Sequence, residues 1–317
     1  MVDLLRYEPG IYAFDAGYLR PQLAAIHLIV ERGRVAVVDT ASNACLPRAL
    51  DALRVLGLSL ASVDYVFLTH VHLDHAGGAG AMMQAFPKAR LVVHPRGARH
   101  MADPAQLFAA AQAVYGEAAA RRLYGELLPV PADRILAAGD GYTLDLGGRT
   151  LVCLDTPGHA RHHLSLLDTH SGGLFTGEAF GLSLRELDVD GRPSILPAIA
   201  PTQFDPAAMR ASVNRILSWR PPVLYLAHFA RIRDVPRLGS DLLRLIEAQV
   251  ALAERERDSG PARGTRLLAG LWALVDAEAK RQEWRLAAGP LHALLDEYLE
   301  LNAQALDGWL ARTEQPS

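Results

Sequence analysis

Apolar residues along the chain fall into two kinds of pattern, short β-branched runs and longer stretches with helical spacing. Within the first 95 residues, short runs rich in Val, Ile and aromatic residues predict buried strands at residues 24–30, 35–39 and 65–68. A helical pattern from about Leu46 to Leu56 separates the second run from the third. Strands and helices therefore alternate through this part of the chain.

The pattern changes twice beyond this point. From residue 96 to about 133, an alanine-rich stretch places apolar residues at helical spacing and predicts a helical insertion. Strand-like runs return from residue 134 to about 235, with glycine-rich turns between them, and after Pro236 the pattern is helical to the end. We therefore predict a first domain of residues 1–235, with its insertion at 96–133, and a helical extension of residues 236–317.

Two apolar stripes mark the helices of the predicted extension, and Gly260-Pro261 and Gly289-Pro290 are expected to break the helical pattern. Stripes of this kind usually pack as a core, but they can also cover a functional site or form a dimer face. The residues of the two stripes are Leu242, Leu245, Ile246, Val250 and Ala253, and then Leu291, Leu294, Leu295, Tyr298, Leu299, Leu306 and Trp309.

The most informative segment is the heptapeptide Thr69–His75, in which three imidazoles and one carboxylate occur within six consecutive residues. It follows the predicted strand at 65–68 directly, and the small residues at 76–80 follow it. Polar clusters at strand ends are common places for chemistry, and imidazole with carboxylate suits zinc, iron or manganese. The segment therefore indicates a metal site; the alternative is a run of solvated loop histidines.

The pattern His-x-His-x-Asp-His at residues 70–75 resembles the signature of the metallo-β-lactamase superfamily. Two later histidines match further ligand positions of that family: His159 follows a Pro-Gly turn after a strand-like run, and His228 ends the apolar run 223–227. Where the family carries Gly-Asp, this chain has Gly-Glu, so the carboxylate of Glu178 is one methylene longer. The resemblance spans residues 10 to 235 and implies an α/β (α+β) fold, a four-layer αββα sandwich with a helical insertion and a C-terminal helical extension.

The resemblance also implies a set of metal ligands. It implies one ion on His70, His72 and His159 and a second on Asp74, His75 and His228, with Glu178 between the two. Two zinc ions are expected, with iron or manganese as alternatives, and the longer Glu178 leaves a single dominant metal open. Asp74 is the expected catalytic residue, because it can orient the attacking group and pass a proton to the leaving group.

The expected function is that of a metal-dependent hydrolase, which cleaves a small ester, thioester or lactone through a metal-bound hydroxide. Two alternatives stay open, a mononuclear iron redox enzyme of the same fold that resembles persulfide dioxygenases, and a metal-bound effector without useful turnover. Cleavage of β-lactams is not expected, since the ligand set contains Asp74 and a carboxylate at position 178.

Several residues near the predicted ligands are candidates for a supporting role. The resemblance puts Asp39 beneath the first ligand loop, where its carboxylate can accept the spare N–H of a ligand histidine, although it can equally be a strand-end turn residue. His163 is expected to support the site without binding metal. We predict that His162 and His170 lie on the surface.

Substrate contacts are harder to assign from the sequence. His94 and His100 are more often structural than substrate-facing in such a context. Three residues of the insertion could line the substrate pocket or pack the insertion against the sandwich: Met101, Tyr115 and Tyr124. Three residues that follow the Glu178 turn are further candidates for the pocket: Ser183, Arg185 and Phe204.

Composition limits the partners of the chain. Half of the 317 residues are apolar, enough to bury a large core, while the formal net charge of −3 and the lack of any Lys/Arg block argue against binding to nucleic acid. The two cysteines, Cys45 and Cys153, cannot form a disulfide framework and are expected as small core residues, as in a reducing cytoplasm. No uninterrupted apolar window indicates export or membrane insertion. We therefore expect a cytoplasmic protein with a small-molecule substrate, monomeric or homodimeric.

Overall fold

The computed structural model describes residues 2–314. Their contacts separate two compact units, which we call the strand unit and the helical unit. The strand unit consists of the residues up to Asp155, His162–Gly177 and Pro221–Arg233; the helical unit consists of Thr156–Arg161, Glu178–Arg220 and the residues from Asp234 onward.

The first sheet of the strand unit has seven strands that follow one another in chain order. Neighbours are antiparallel from β1 to β4 and parallel from β4 to β7. The strands are β1 (Leu4–Arg6), β2 (Ile11–Asp15), β3 (Ala25–Glu31), β4 (Arg34–Val38), β5 (Val63–Phe67), β6 (Arg90–Val93) and β7 (Ile135–Ala137).

The second sheet has six strands in the order β13-β12-β11-β10-β9-β8, and among them only β11 and β12 pair in parallel. The strands are β8 (Thr143–Leu146), β9 (Arg149–Asp155), β10 (Leu164–Asp168), β11 (Leu174–Gly177), β12 (Leu224–Leu226) and β13 (Ala230–Ile232).

The first sheet is buried on both faces, as β4 shows. Val35 and Val37 pack with the helices of the strand unit, whereas Ala36 and Val38 pack with apolar residues of the second sheet. A strand buried on both faces needs apolar residues at successive positions, which explains the unbroken run that predicted β4.

The helices of this unit are α1 (Leu46–Val55), α2 (Leu73–Ala76), α3 (Ala79–Ala85), α4 (Pro95–Ala102), α5 (Ala105–Tyr115) and α6 (Glu117–Tyr124). The helix predicted at Leu46 to Leu56 is confirmed, and so are the two cysteines as buried free thiols.

The helical unit contains α7 (Pro206–Ser218), α8 (Val235–Glu256), α9 (Arg263–Gln282) and α10 (Ala288–Glu314). The three last helices pack on one another, and most residues of the two predicted stripes are buried. The predicted break at Gly289-Pro290 is wrong, because the chain leaves α9 at Glu283, whose φ of 59° is left-handed, and Pro290 lies in the first turn of α10. Proline is tolerated there because the first turn needs no N–H donor from it.

The domain boundary near residue 235 stays a prediction. From residue 2 to residue 314, no helix has the length and apolar character needed to cross a membrane.

Candidate metal centre

The ligand loop predicted at residues 69–75 starts immediately beyond β5, where the parallel neighbour β4 also ends. Asp39, the residue after β4, adopts a left-handed φ of 62°, which Asp tolerates better than most residues. Its Oδ1 accepts a hydrogen bond from the Thr69 amide at 2.8 Å, and the Thr69 hydroxyl donates to its Oδ2 at 2.9 Å. The buried Asp39 carboxylate therefore anchors the first residue of the ligand loop.

His70 and His72 face each other at the start of the loop. Nε2 of His70 lies 3.0 Å from Nδ1 of His72, and Nδ1 of His70 lies 3.1 Å from the Thr69 hydroxyl oxygen. Because that hydroxyl donates its hydrogen to Asp39, it accepts from the His70 ring, which leaves the Nε2 lone pair of His70 directed at His72. Two ring nitrogens converging in this way fit a shared cation.

Asp74, His75 and His228 form a second group, contributed by α2 and by the residue two positions beyond β12. Oδ2 of Asp74 lies 3.3 Å from Nε2 of His75 and 3.5 Å from Nε2 of His228. The far nitrogens are held by acceptors: Nδ1 of His75 lies 3.1 Å from Oδ2 of Asp39, and Nδ1 of His228 lies 2.8 Å from the Leu23 carbonyl oxygen. Both rings thus present Nε2 to Asp74, and one ligand atom from each of the three residues lies within 4.8 Å of the others.

The helical unit pairs the two remaining predicted ligands. Nε2 of His159 lies 2.9 Å from Oε2 of Glu178, and both side chains are buried. Nδ1 of His159 donates to the Ala198 carbonyl oxygen at 2.9 Å, which sets the ring orientation. The preceding Gly158 has a φ of 132°, and a Cβ there would lie 2.3 Å from Cα of Met209. The Pro-Gly turn therefore needs glycine at position 158.

The neighbours of the ligands differ in part from the sequence prediction. His163 is fully buried and its ring stacks on His70, with centroids 5.1 Å apart. The surface position predicted for His162 is wrong: the side chain is buried, and its Nδ1 accepts from the Val71 amide at 3.4 Å. A polar Arg-His-His run is typical of a surface turn, but here the amide inside the ligand loop needs an acceptor. His170 is exposed, as predicted.

His94 and His100 belong to the start and the body of α4. Nδ1 of His94 accepts from the Arg96 amide at 3.0 Å and caps the helix, while Nε2 lies 3.5 Å from the Asp155 carboxylate. Burial lowers the pKa of both histidines below the ordinary value. His94 therefore has a structural role, because it caps α4.

Three tyrosines of the strand unit cluster near Asp74. The Tyr18 hydroxyl donates to the Tyr124 hydroxyl at 3.0 Å, and the Tyr115 ring centroid lies 6.3 Å from that of Tyr124. Burial raises the pKa of Tyr124 far above the ordinary value and the charge of Asp74 raises it further, so this hydroxyl stays protonated. Met101 is buried in the same apolar cluster. Tyr18 carries no signal in the sequence, since it lies in the irregular segment after β2.

The candidates beyond Glu178 are engaged within the helical unit. The Ser183 hydroxyl donates to the Ser194 carbonyl oxygen at 2.7 Å, and Arg185 pairs with Asp188 at 3.2 Å. Phe204 is buried with its ring 6.4 Å from that of Trp309. These contacts are packing and loop contacts inside one unit.

Comparison with known proteins agrees with the fold and the ligand pattern. The sequence matches the metallo-beta-lactamase superfamily over residues 19–228. The chain therefore belongs to the metallo-beta-lactamase superfamily, and the predicted family and sandwich fold are confirmed.

One relative is the metallo-beta-lactamase fold-containing protein ST1585 of Sulfurisphaera tokodaii. This chain is 25% identical to it over 225 residues, covering 69% of this chain and 78% of the relative. The crystal structure of ST1585 superposes with a TM-score of 0.65 at 21% identity, covering 94% of this chain and 98% of that one.

Two relatives have names that state an activity. A hydroxyacylglutathione hydrolase of Synechococcus is 30% identical over 146 residues, which is 44% of each chain. The thioesterase pkgB of Emericella nidulans is 26% identical over 179 residues, 56% of this chain and 40% of the relative. This chain thus spans less than half the length of either relative.

Proposed function

We propose that this protein is a metal-dependent hydrolase of a small ester, thioester or lactone. The observation that carries the proposal is the group Asp74, His75 and His228, in which both histidines turn Nε2 toward one carboxylate while an acceptor holds the opposite ring nitrogen. Acceptors behind metal-binding histidines fix the ring tautomer and orientation. Superfamily membership and two relatives named as a hydrolase and a thioesterase support the reaction class.

In this proposal the ligands divide between two ions. His70, His72 and His159 would hold the first ion and Asp74, His75 and His228 the second, with Glu178 as the carboxylate between them. Histidine nitrogen and carboxylate oxygen suit zinc, which we propose for both sites, with iron or manganese as the alternatives. Ions bound there would lower the pKa of a coordinated water and polarise a substrate carbonyl.

The residues of the chain would then divide the remaining work. Asp39 accepts the His75 Nδ1–H, so Nε2 of His75 keeps its lone pair. Asp74 is the most accessible member of its group, with a side chain 26% exposed against 1% for His75 and 7% for His228. A carboxylate that is both a ligand and open to the substrate is the group we assign to proton transfer, from the attacking water to the leaving group.

The substrate is proposed to be a small molecule. The net charge of −3 and the absence of a basic block in the sequence do not suit a nucleic acid. Two buried free cysteines suit a reducing compartment, and we propose the cytoplasm.

Metal analysis of the purified protein, followed by an ester, thioester and lactone panel, tests the proposal. We expect about two zinc ions per chain and turnover that disappears, together with metal, in His72→Ala and His159→Ala. His170→Ala is the matched control, because it removes an exposed histidine and should keep both metal and activity. Full metal content in either ligand variant would contradict the assignment.

Two other results would replace the proposed function. A single iron per chain, with oxygen consumption on persulfide substrates, would assign a redox enzyme. Full occupancy by metal without turnover on any member of the panel would assign a binding protein.

A further inference from the structure

The segment that carries His159 is held by a second, irregular segment of the helical unit, residues 197–205, which we call the support loop. Ala198 accepts from the His159 ring at 2.9 Å, the Gln203 side-chain oxygen accepts from the Arg161 amide at 3.0 Å, and the Asp205 amide donates to the Gly158 carbonyl oxygen at 2.9 Å. The direction of the His159 ring therefore depends on where the support loop places the Ala198 carbonyl.

The support loop has no helix or strand of its own, so another element must fix it. That element is α10, whose side chains reach both ends of the loop. Near the start, the Tyr298 hydroxyl donates to the Pro197 carbonyl oxygen. Near the end, Arg312 donates to the Phe204 carbonyl oxygen at 2.8 Å, and the Trp309 ring contacts the Phe204 ring edge to face.

Asn302 completes the contact in the middle. In the amide orientation that satisfies its neighbours, its nitrogen donates to the Ile199 carbonyl oxygen at 3.2 Å, and its oxygen lies 3.0 Å from the Tyr298 hydroxyl oxygen. The carbonyls of Pro197 and Ile199 flank the one that holds His159. Tyr298, Asn302, Trp309 and Arg312 are spaced by four, seven and three residues, so they share one face of α10.

The Tyr298 hydroxyl, which holds the support loop together with Asn302, is expected to stay uncharged. Asn302 is buried, and burial raises the pKa of the Tyr298 hydroxyl well above its ordinary value, to which the nearby Glu178 carboxylate adds. The hydroxyl thus stays a donor at every physiological pH. A neutral donor close to Glu178 can hold the loop without placing a second charge beside the proposed ligands.

We propose that α10 is a positioning helix for the metal centre: Tyr298 and Asn302 hold the Pro197–Ile199 backbone, and this backbone aims His159 at its metal. The inference rests on the proposed function, because it takes His159 as a ligand. It deepens that function by making the affinity of one metal site depend on a helix of the C-terminal region. Tyr298 and Asn302 act through the backbone and are positioning residues.

The test is zinc affinity of the full-length apo-protein, measured by competition with a chromophoric chelator. Removing a group that orients a ligand typically weakens metal binding about 10–100-fold. We expect Tyr298→Phe and Asn302→Leu each to weaken the zinc site that contains His159 about tenfold or more, while the site of Asp74, His75 and His228 keeps its affinity. Tyr142→Phe, which removes the same hydroxyl from an exposed tyrosine, is the matched control and should leave both affinities unchanged.

A general loss of folding would lower both affinities together, and selective weakening distinguishes positioning from destabilisation. Arg312→Gln gives a second variant at the exposed end of the contact, where misfolding is least expected, and a smaller drop at the same site is expected there. Unchanged zinc affinity in both Tyr298→Phe and Asn302→Leu would overturn the positioning role.

His159→Ala separates this inference from the proposed function. If His159→Ala weakens zinc binding while the α10 variants do not, only the positioning role fails. If His159→Ala itself leaves zinc binding intact, the ligand assignment of the proposed function fails.

Discussion

Asp39 accepts a hydrogen bond from the ring of His75, with Oδ2 and Nδ1 3.1 Å apart and both side chains almost completely buried. The two residues are 36 positions apart in the chain and meet because β4 and β5 are parallel neighbours that end at the same edge of the sheet. The same carboxylate holds Thr69, so one buried acid ties the first residue of the ligand loop to a later one. The loop geometry thus depends on a residue that is not itself a proposed ligand.

Replacing Asp39 should therefore weaken metal binding without removing a ligand. The two carboxylate oxygens of Asp39 accept hydrogen bonds from the Thr69 amide, the Thr69 hydroxyl and the His75 ring. The side chain of Asp39→Asn has a single acceptor oxygen and cannot accept all three, so we expect about 10–100-fold lower metal affinity at the site of Asp74, His75 and His228. Chelator competition on the apo-protein measures the change. Asp133→Asn, an exposed site with the same substitution, should behave as wild type. Wild-type affinity in Asp39→Asn would show that Thr69 and His75 do not need this carboxylate.

Gly158→Ala should destabilise the fold and displace His159. A Cβ at this position would lie 2.3 Å from the Met209 backbone, and the φ of 132° is unfavourable for alanine. Overpacking and backbone strain together should cost about 2–4 kcal/mol in the free energy of unfolding. Urea denaturation measures it. Gly191→Ala, with a φ of 76° and open space around the Cβ, should lose only about 1 kcal/mol; equal losses in the two variants would mean that the contact with Met209 relaxes freely.

Glu178→Asp tests the longer carboxylate at the proposed bridge. If Glu178 lies between two ions, the shorter side chain should keep or improve binding of the second metal, whereas Glu178→Gln should weaken it by removing the charge. Metal content and competition titrations give both values. Loss of both metals in Glu178→Asp would show that metal binding requires the additional methylene. The contact of the Glu178 carboxylate with Nε2 of His159, 2.9 Å away, would then also require the longer side chain.

His27 should make the protein less stable in acid. It is buried among Phe175 and Tyr225, no partner for its Nε2 occurs within the described part of the chain, and burial lowers its pKa to about 3. Since the unfolded chain binds a proton near pH 6.5 and the folded chain does not, stability is full above that pH and falls as the pH drops from 6.5 toward 3.

The expected loss attributable to His27 is about 2 kcal/mol between pH 7 and pH 5. Comparing the apo-protein with apo-His27→Phe by urea denaturation at both pH values isolates it, because other histidines titrate alike in both proteins. His170→Gln, which changes an exposed histidine, should retain the wild-type pH dependence. An equal pH dependence in His27→Phe would mean that His27 is protonated in the folded state or remains neutral in the unfolded one.

Much of the architecture could be predicted from local pattern. The apolar run of β4, the helix from Leu46 and the stripes of α8 and α10 are visible because burial imposes a residue type at each position. The proposed ligands of the loop were equally visible, since three histidines and an aspartate in six residues have few structural explanations. The Gly289-Pro290 break and the exposure of His162 were wrong for one reason: each depends on what packs next to the segment.

What the sequence by itself determined was the identity of the candidate ligands and the elements that carry them. What only the tertiary structure decided was how these ligands are held. The acceptors behind His159 and His228 are the backbone carbonyls of Ala198 and Leu23, and any residue type offers a carbonyl, so no side-chain pattern marks them. The contact of α10 with the support loop also joins residues about one hundred positions apart. Orientation of a ligand is a long-range property of the backbone, whereas its chemistry is local to the residue.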